Sequence, residues 1–184
     1  AAGAIGVGIV KPGQAMLSLG TSGVYFAVSE GFRSNPESAV HSFCHALPHT
    51  WHLMSVMLSA ASCLQWYAEQ VAKKEVSVLL TELEQATKNE TTDTQDRTQN
   101  GPLFLPYLSG ERTPHNNPNA TGAFFGLTHS SSQVAMTHSV LEGVTFGLAD
   151  GVDALHASGV QVDEITLIGG GAKSAYWRQL IADV

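Results

Sequence analysis

The chain is short of several things at once, and each shortage removes a class of protein. Only Cys44 and Cys63 are cysteine among 184 residues. Two cysteines make no disulfide framework, so a reducing compartment, the cytoplasm, is the simplest home. No apolar run approaches the ~20 residues that a membrane-crossing helix needs. Positive charge is scarce: nine Lys and Arg stand against sixteen Asp and Glu, a net charge of −7, and the nine are scattered. Non-specific nucleic-acid binding depends on clustered Lys and Arg neutralising phosphates. The chain therefore reads as having no nucleic-acid or membrane partner, and its length suits one domain with a substantial core.

Glycine, by contrast, is plentiful at 18 residues, and it marks two turns. Late in the chain, Ile165-Thr166-Leu167-Ile168 runs into Gly169-Gly170-Gly171. The β-branched residues predict a strand. Trp177, Leu180, Ile181 and Val184 then recur at i, i+3, i+4 and i+7, which predicts a helix. Ser174 is its expected N-cap. A strand, glycine turn and helix start can bring bare backbone against a nucleotide, because glycine has no Cβ to block approach and the helix start offers N–H groups and a positive dipole end.

The second turn lies near the start. Met16–Leu19 and Val24–Val28 are strand-like and flank Gly20-Thr21-Ser22-Gly23, which predicts a hairpin. Its tip gathers two hydroxyls and several backbone N–H groups, a concavity suited to phosphate oxygens. Alone, this hairpin tip reads as an ordinary bend. Together the two turns predict two sides of one nucleotide cleft.

Between the turns, residues 40–44 and 51–53 suggest short strands around Pro48. Met54, Met57, Leu58, Ala61, Leu64, Ala68 and Val71 predict one amphipathic helix, and Val76, Leu79, Leu80 and Leu83 a second, shorter one. Residues 86–100 carry almost nothing apolar and predict an exposed excursion. Residues 103–107 look strand-like, limited by Pro106, and a polar loop follows to Asn119. Ser132 should cap a long helix buried through Val140, Leu141, Val144, Leu148, Val152 and Leu155, and Ser158-Gly159 should end it. Hairpins first and strand–helix units later predict an α/β domain, a mixed sheet with helices packed against it. Two glycine turns facing one cleft in such a sheet fit the actin-like ATPase (ribonuclease H-like) fold.

Three groupings invite chemistry. His41, His45, His49 and His52, with Cys44, have zinc-like spacing. Pro48 breaks a continuous helix, and a hairpin would put His41 and His45 on one face with Cys44 on the other. We read no metal ligands there and keep a His-rich metal-binding domain as the alternative. Glu111, Arg112 and His115 read as a solvated surface ion pair. Glu142, Asp150 and Asp153 read as exposed helix charge, too far apart along the axis to share a proton. Cys63 reads as a small core residue.

Gly122-Ala123-Phe124-Phe125-Gly126-Leu127 fits a signature that opens Gly, any, apolar, any, Gly, apolar. Further on the signature wants a polar or acidic residue where this chain has Ala135, and Val140, Leu141 and Glu142 fit again. On these residues, and on the runs 1–23, 104–128 and 167–179, the chain resembles the C-terminal domain of the carbohydrate kinase family that includes glycerol, gluconate and xylulose kinases. The resemblance implies a sugar kinase using ATP with Mg²⁺, with D-xylulose as the acceptor and another sugar or polyol as the nearest rival. Gly20, Thr21 and Ser22 would be the second phosphate loop, with a backbone N–H and the Thr hydroxyl on the terminal phosphates. Gly169, Gly170 and Gly171 would pack against the α-phosphate, ribose and base. Ser174 would lie near the base, and Ala61 and Gln65 on a helix that carries adenine contacts. The family's catalytic Asp would lie just before Ala1. Residues 1–184 would then be a truncated nucleotide-binding domain, lacking the N-terminal sugar-binding domain and a last C-terminal segment, and inactive alone. Assembly as a homodimer is left open.

Overall fold

The computed structural model describes residues 2–88 and 101–184. After a short helix α1 (Ala2–Gly6) come strands β1 (Gly13–Leu19), β2 (Gly23–Ser29), β3 (His41–Cys44) and β4 (Trp51–Met57). Helix α2 (Ala61–Trp66) continues as a π-helical stretch (Tyr67–Ala72), and α3 spans Val76–Lys88. Strands β5 (Leu103–Leu105) and β6 (Ala123–Phe125) precede the long helix α4 (Gln133–His156), strand β7 (Val162–Ile168) and helix α5 (Ala175–Asp183).

The main sheet has the order β3-β4-β2-β1-β7. Neighbours are antiparallel except β7, which runs parallel to β1, so the sheet is mixed as expected. The two faces of β1 bury different sets: Ala15, Leu17 and Leu19 join one core with Tyr25, Leu53, Met57 and α4, while Met16 joins Ala4, Ile9, Phe26 and Val28 on the other. A strand covered on both faces has no polar side to alternate with, which explains the near-continuous apolar run of β2.

Helix α4 is the central strut. Val140, Leu141, Val144 and Leu155 are fully buried. Its close approach to β5 depends on Gly143, where a Cβ would lie 2.1 Å from the Phe104 carbonyl oxygen. The Ser132 hydroxyl caps it by accepting the Ala135 N–H at 3.1 Å. Beyond its end, Gly159 has φ +83°, the left-handed conformation that glycine adopts without strain.

Two of the expected elements begin or end elsewhere. Residues 54–57 are strand, not the start of a helix: Met54 to Met57 pair residue by residue with Phe26 to Gly23 of β2. Apolar residues at 54 and 57 satisfy either period, and the tie is broken by the partner strand. The predicted excursion at 86–100 begins too early, because α3 continues to Lys88; residues 89–100 lie outside those described.

Two of the four clustered histidines, His45 and His52, belong to the core, while His49 and Cys44 are exposed, which disfavours the metal-binding alternative. His52 is 4% exposed and stacks on Phe26 with ring centroids 4.2 Å apart, and His45 packs edge-on against the same ring at 5.8 Å. Burial lowers the His52 pKa to about 4, with a further push from His45. Among the described residues, no group of three or more His, Cys, Asp and Glu is placed to hold a metal ion.

Candidate functional site

Parallel pairing of β1 and β7 sends both strands out of the same end of the sheet, with Ser18 opposite Ile168. The two glycine turns follow at once, Gly20 after β1 and Gly169 after β7. They touch through glycine. A Cβ on Gly169 would lie 2.5 Å from the Leu19 carbonyl oxygen, and its φ of +101° is one that L side chains rarely adopt. A Cβ on Gly171 would come equally close to the Leu19 side chain. Gly170 is different: its φ of −63° and ψ of −40° suit any residue, and a Cβ there would meet nothing within 4 Å. It presents bare backbone to open space.

The β1–β2 turn closes through the Gly20 N–H, which donates to the Ser22 carbonyl at 3.2 Å. The start of α2 grips this turn from outside. Ala61 N–H donates to the Gly20 carbonyl at 2.9 Å, while Ala60 and Ser62 N–H groups donate to the Thr21 carbonyl at 3.0 and 3.2 Å. Helix N-termini leave such donors unpaired, and here they hold the carbonyls of the turn. The Thr21 and Ser22 hydroxyls and N–H groups make no hydrogen bond among the described residues, so they remain available to an incoming acceptor. Beside them lies a groove of about 420 Å³, lined by Thr21, Ser62, Gln65, Trp66, Glu69 and Gln70. On its helical wall the Gln65 amide donates to the Glu69 carboxylate.

Behind the groove, the loop after β5 overturns the surface ion-pair expectation. Glu111 is 2% exposed and does not pair with Arg112 through charge. Its Oε1 accepts the Leu58 N–H at 2.9 Å and the Arg112 N–H at 2.7 Å. Burial raises its pKa, and the two N–H donors oppose the rise. Arg112 instead meets His41 at 3.2 Å, and His115 meets the Tyr107 hydroxyl at 2.8 Å. Cys63 is fully buried as expected; its thiol donates to the carbonyls of Ser59 and Pro106, and burial pushes its pKa up to about 12.

A sheet end with two nested glycine turns, free hydroxyls and an adjoining groove is a nucleotide-sized arrangement. Residues 15–184 match the model of the FGGY family of carbohydrate kinases, C-terminal domain. The chain belongs to that family. It is 61% identical over its whole length to the xylulose kinase of Escherichia coli, of which it covers 36%. Among solved structures, it superposes on a xyloylose kinase from Brucella ovis with a TM-score of 0.87 and 47% identity, over 97% of this chain and 35% of that one. On the xylulose kinase from Rhodospirillum rubrum the TM-score is 0.83 at 26% identity, over 99% of this chain and 35% of that one. The chain thus spans about a third of the length of these relatives, and its fold is the actin-like ATPase fold of the FGGY kinases.

Within this FGGY domain the expected site residues fall into two groups. Thr21 and Gln65 line one groove, with Gly20 and Ser22 completing its turn. Gly169 and Gly171 sit against Leu19 with Gly170 open to space between them, and none of the three lines that groove. Ser174 is 8% exposed and its hydroxyl accepts the Trp177 N–H at 3.2 Å, so it caps α5. Ser62, Trp66, Glu69 and Gln70 were missed. With Gln65 they form the helix face opposite the buried Cys63, Leu64 and Ala68, and that complementary polar face was the available signal.

Proposed function

We propose that this chain is the nucleotide-binding part of a sugar kinase that transfers the γ-phosphoryl group of ATP to D-xylulose, giving D-xylulose 5-phosphate. The observation that carries the nucleotide half is the Cβ-free contact of Gly169 with the Leu19 carbonyl, which sets the two glycine turns side by side. The acceptor half rests on the names of the relatives, xylulose kinases of high identity.

Phosphoryl transfer is mostly positioning and charge stabilisation, with donors aimed at the transferred group. In this reading the Thr21 hydroxyl and the N–H groups of Thr21 and Ser22 meet the terminal phosphate oxygens, and Gly20 lets the turn close. Gly169, Gly170 and Gly171 let the α-phosphate and ribose approach the backbone. Ser174 acts by fixing the start of α5, and Gln65 and Glu69 face the nucleoside in the groove. The described residues offer no cation cage. Mg²⁺ would arrive bound to ATP and supply charge neutralisation on the phosphates, and no role given to these side chains runs through it. This reading gives the base at the sugar hydroxyl to no residue among 1–184, so residues 1–184 alone should give no turnover. A cytoplasmic location goes with this reading; among the described residues no helix is long and apolar enough to cross a membrane.

A coupled ADP-release assay on the full-length protein tests both halves. D-Xylulose should give a higher kcat/KM than glycerol, gluconate or other pentuloses, all with ATP. A clear preference for another acceptor overturns the acceptor half alone.

A further inference from the structure

Strand β3 pairs with β4 only from Trp51 to Met54. Beyond Met54 the same edge of β4 is taken over by residues 111–113, using side chains where a strand would use carbonyls. The Thr113 N–H donates to the Val56 carbonyl at 3.1 Å, and the Val56 N–H donates to the Thr113 hydroxyl oxygen at 3.1 Å. One step on, the Leu58 N–H donates to the Glu111 carboxylate. Leu58 is the last residue before the Ser59-Ala60 corner that turns β4 into α2. That corner supplies the Ala60 N–H to the Thr21 carbonyl, and the Cys63 thiol ties Ser59 back to the same loop at Pro106.

We propose that Glu111 is a positioning residue for the phosphate loop, acting through Leu58 and the Ser59-Ala60 corner on Thr21. This rests on the ATP-site reading above. A carboxylate is unusual as a buried ladder acceptor, and its second oxygen is buried with no hydrogen-bond partner among the described residues. A neutral threonine does the equivalent task at Val56. What the longer Glu111 side chain adds is reach: it spans from the loop to the last N–H before the corner. The Thr113 contact holds the strand, and the Glu111 contact holds the corner that grips the loop.

The test compares four variants of the full-length protein, measuring the ATP dissociation constant by calorimetry, KM for ATP and for D-xylulose, and thermal stability. Glu111→Asp keeps the charge but is one methylene too short to reach Leu58. It should weaken ATP binding and raise KM for ATP by about tenfold, leaving KM for D-xylulose within about twofold. Glu111→Gln keeps the reach and an acceptor oxygen, and should restore most of the ATP affinity. Thr113→Val should lower stability with little change in ATP affinity. Gly170→Val reports on the site itself. If Gly170→Val weakens ATP binding and Glu111→Asp does not, or if Thr113→Val weakens it as much, the positioning role is overturned and the ATP site stands. If the parent protein binds no ATP, or Gly170→Val leaves its affinity unchanged, the ATP site and the role built on it fall together.

Discussion

One methyl group at each of two adjacent glycines should separate binding from folding. At Gly170 the backbone is already right-handed helical and a Cβ meets nothing within 4 Å. Gly170→Ala therefore leaves the fold unstrained and should raise stability by up to about 0.5 kcal/mol through the unfolded chain. If ATP lies against this backbone, the methyl group intrudes on the ligand, and misfits of that size cost about 1–3 kcal/mol. KM for ATP should then rise about 5- to 150-fold with KM for D-xylulose unchanged. Gly169→Ala does the reverse. Its Cβ would sit 2.5 Å from the Leu19 carbonyl oxygen, on a backbone with φ +101°. Strain at such a position costs about 1–3 kcal/mol, and the overlap adds to it. At about 2–4 °C per kcal/mol for a domain of this size, the melting temperature should fall by about 5–10 °C. Steady-state kinetics with each substrate varied, together with thermal melts of the full-length protein, read out both effects. Unchanged KM for ATP in Gly170→Ala would mean that the open side of the turn faces no nucleotide. Unchanged stability in Gly169→Ala would refute the nesting of the two turns.

Acid should destabilise the fold through His52. Its folded pKa of about 4 lies below the ordinary histidine value of 6.5, so the stability it contributes is complete above pH 6.5 and is lost as pH falls towards 4. At one pKa unit to 1.36 kcal/mol the loss reaches at most about 3 kcal/mol. His52→Phe, which keeps a ring against Phe26, should flatten this part of the melting-temperature profile, and an identical pH slope in the variant would count against it. Ser174→Ala should lower stability by about 1 kcal/mol, the usual value of an N-cap, and Ser174→Asn should recover it. A rise in KM for ATP larger than the stability loss can explain would instead put the hydroxyl on the nucleotide.

Chemistry within a few residues of itself was legible from the amino acids. Gly20 to Gly23 between two apolar runs announced the hairpin, and Ser132 and Ser174 before periodic apolar stretches announced the caps of α4 and α5, because turn and cap bonds close over two to four residues. The long apolar stripe of α4 was equally plain, and the glycine signature at 122–127 carried the family and, with it, the candidate site residues. What the linear pattern could not hold was proximity. Residues 54–57 had the spacing of helix and strand alike, and only β2 alongside them selected strand. Glu111 carried the composition of a surface residue, yet its carboxylate is buried because the edge of β4 beyond Met54 needed acceptors. His45 and His52 had the spacing of ligands, yet both pack against the Phe26 ring and against each other. The meeting of Leu19 with Gly169 depends on β7 choosing β1 as its parallel neighbour. Such choices are made by burial summed over the whole chain, so they exist only in the folded molecule.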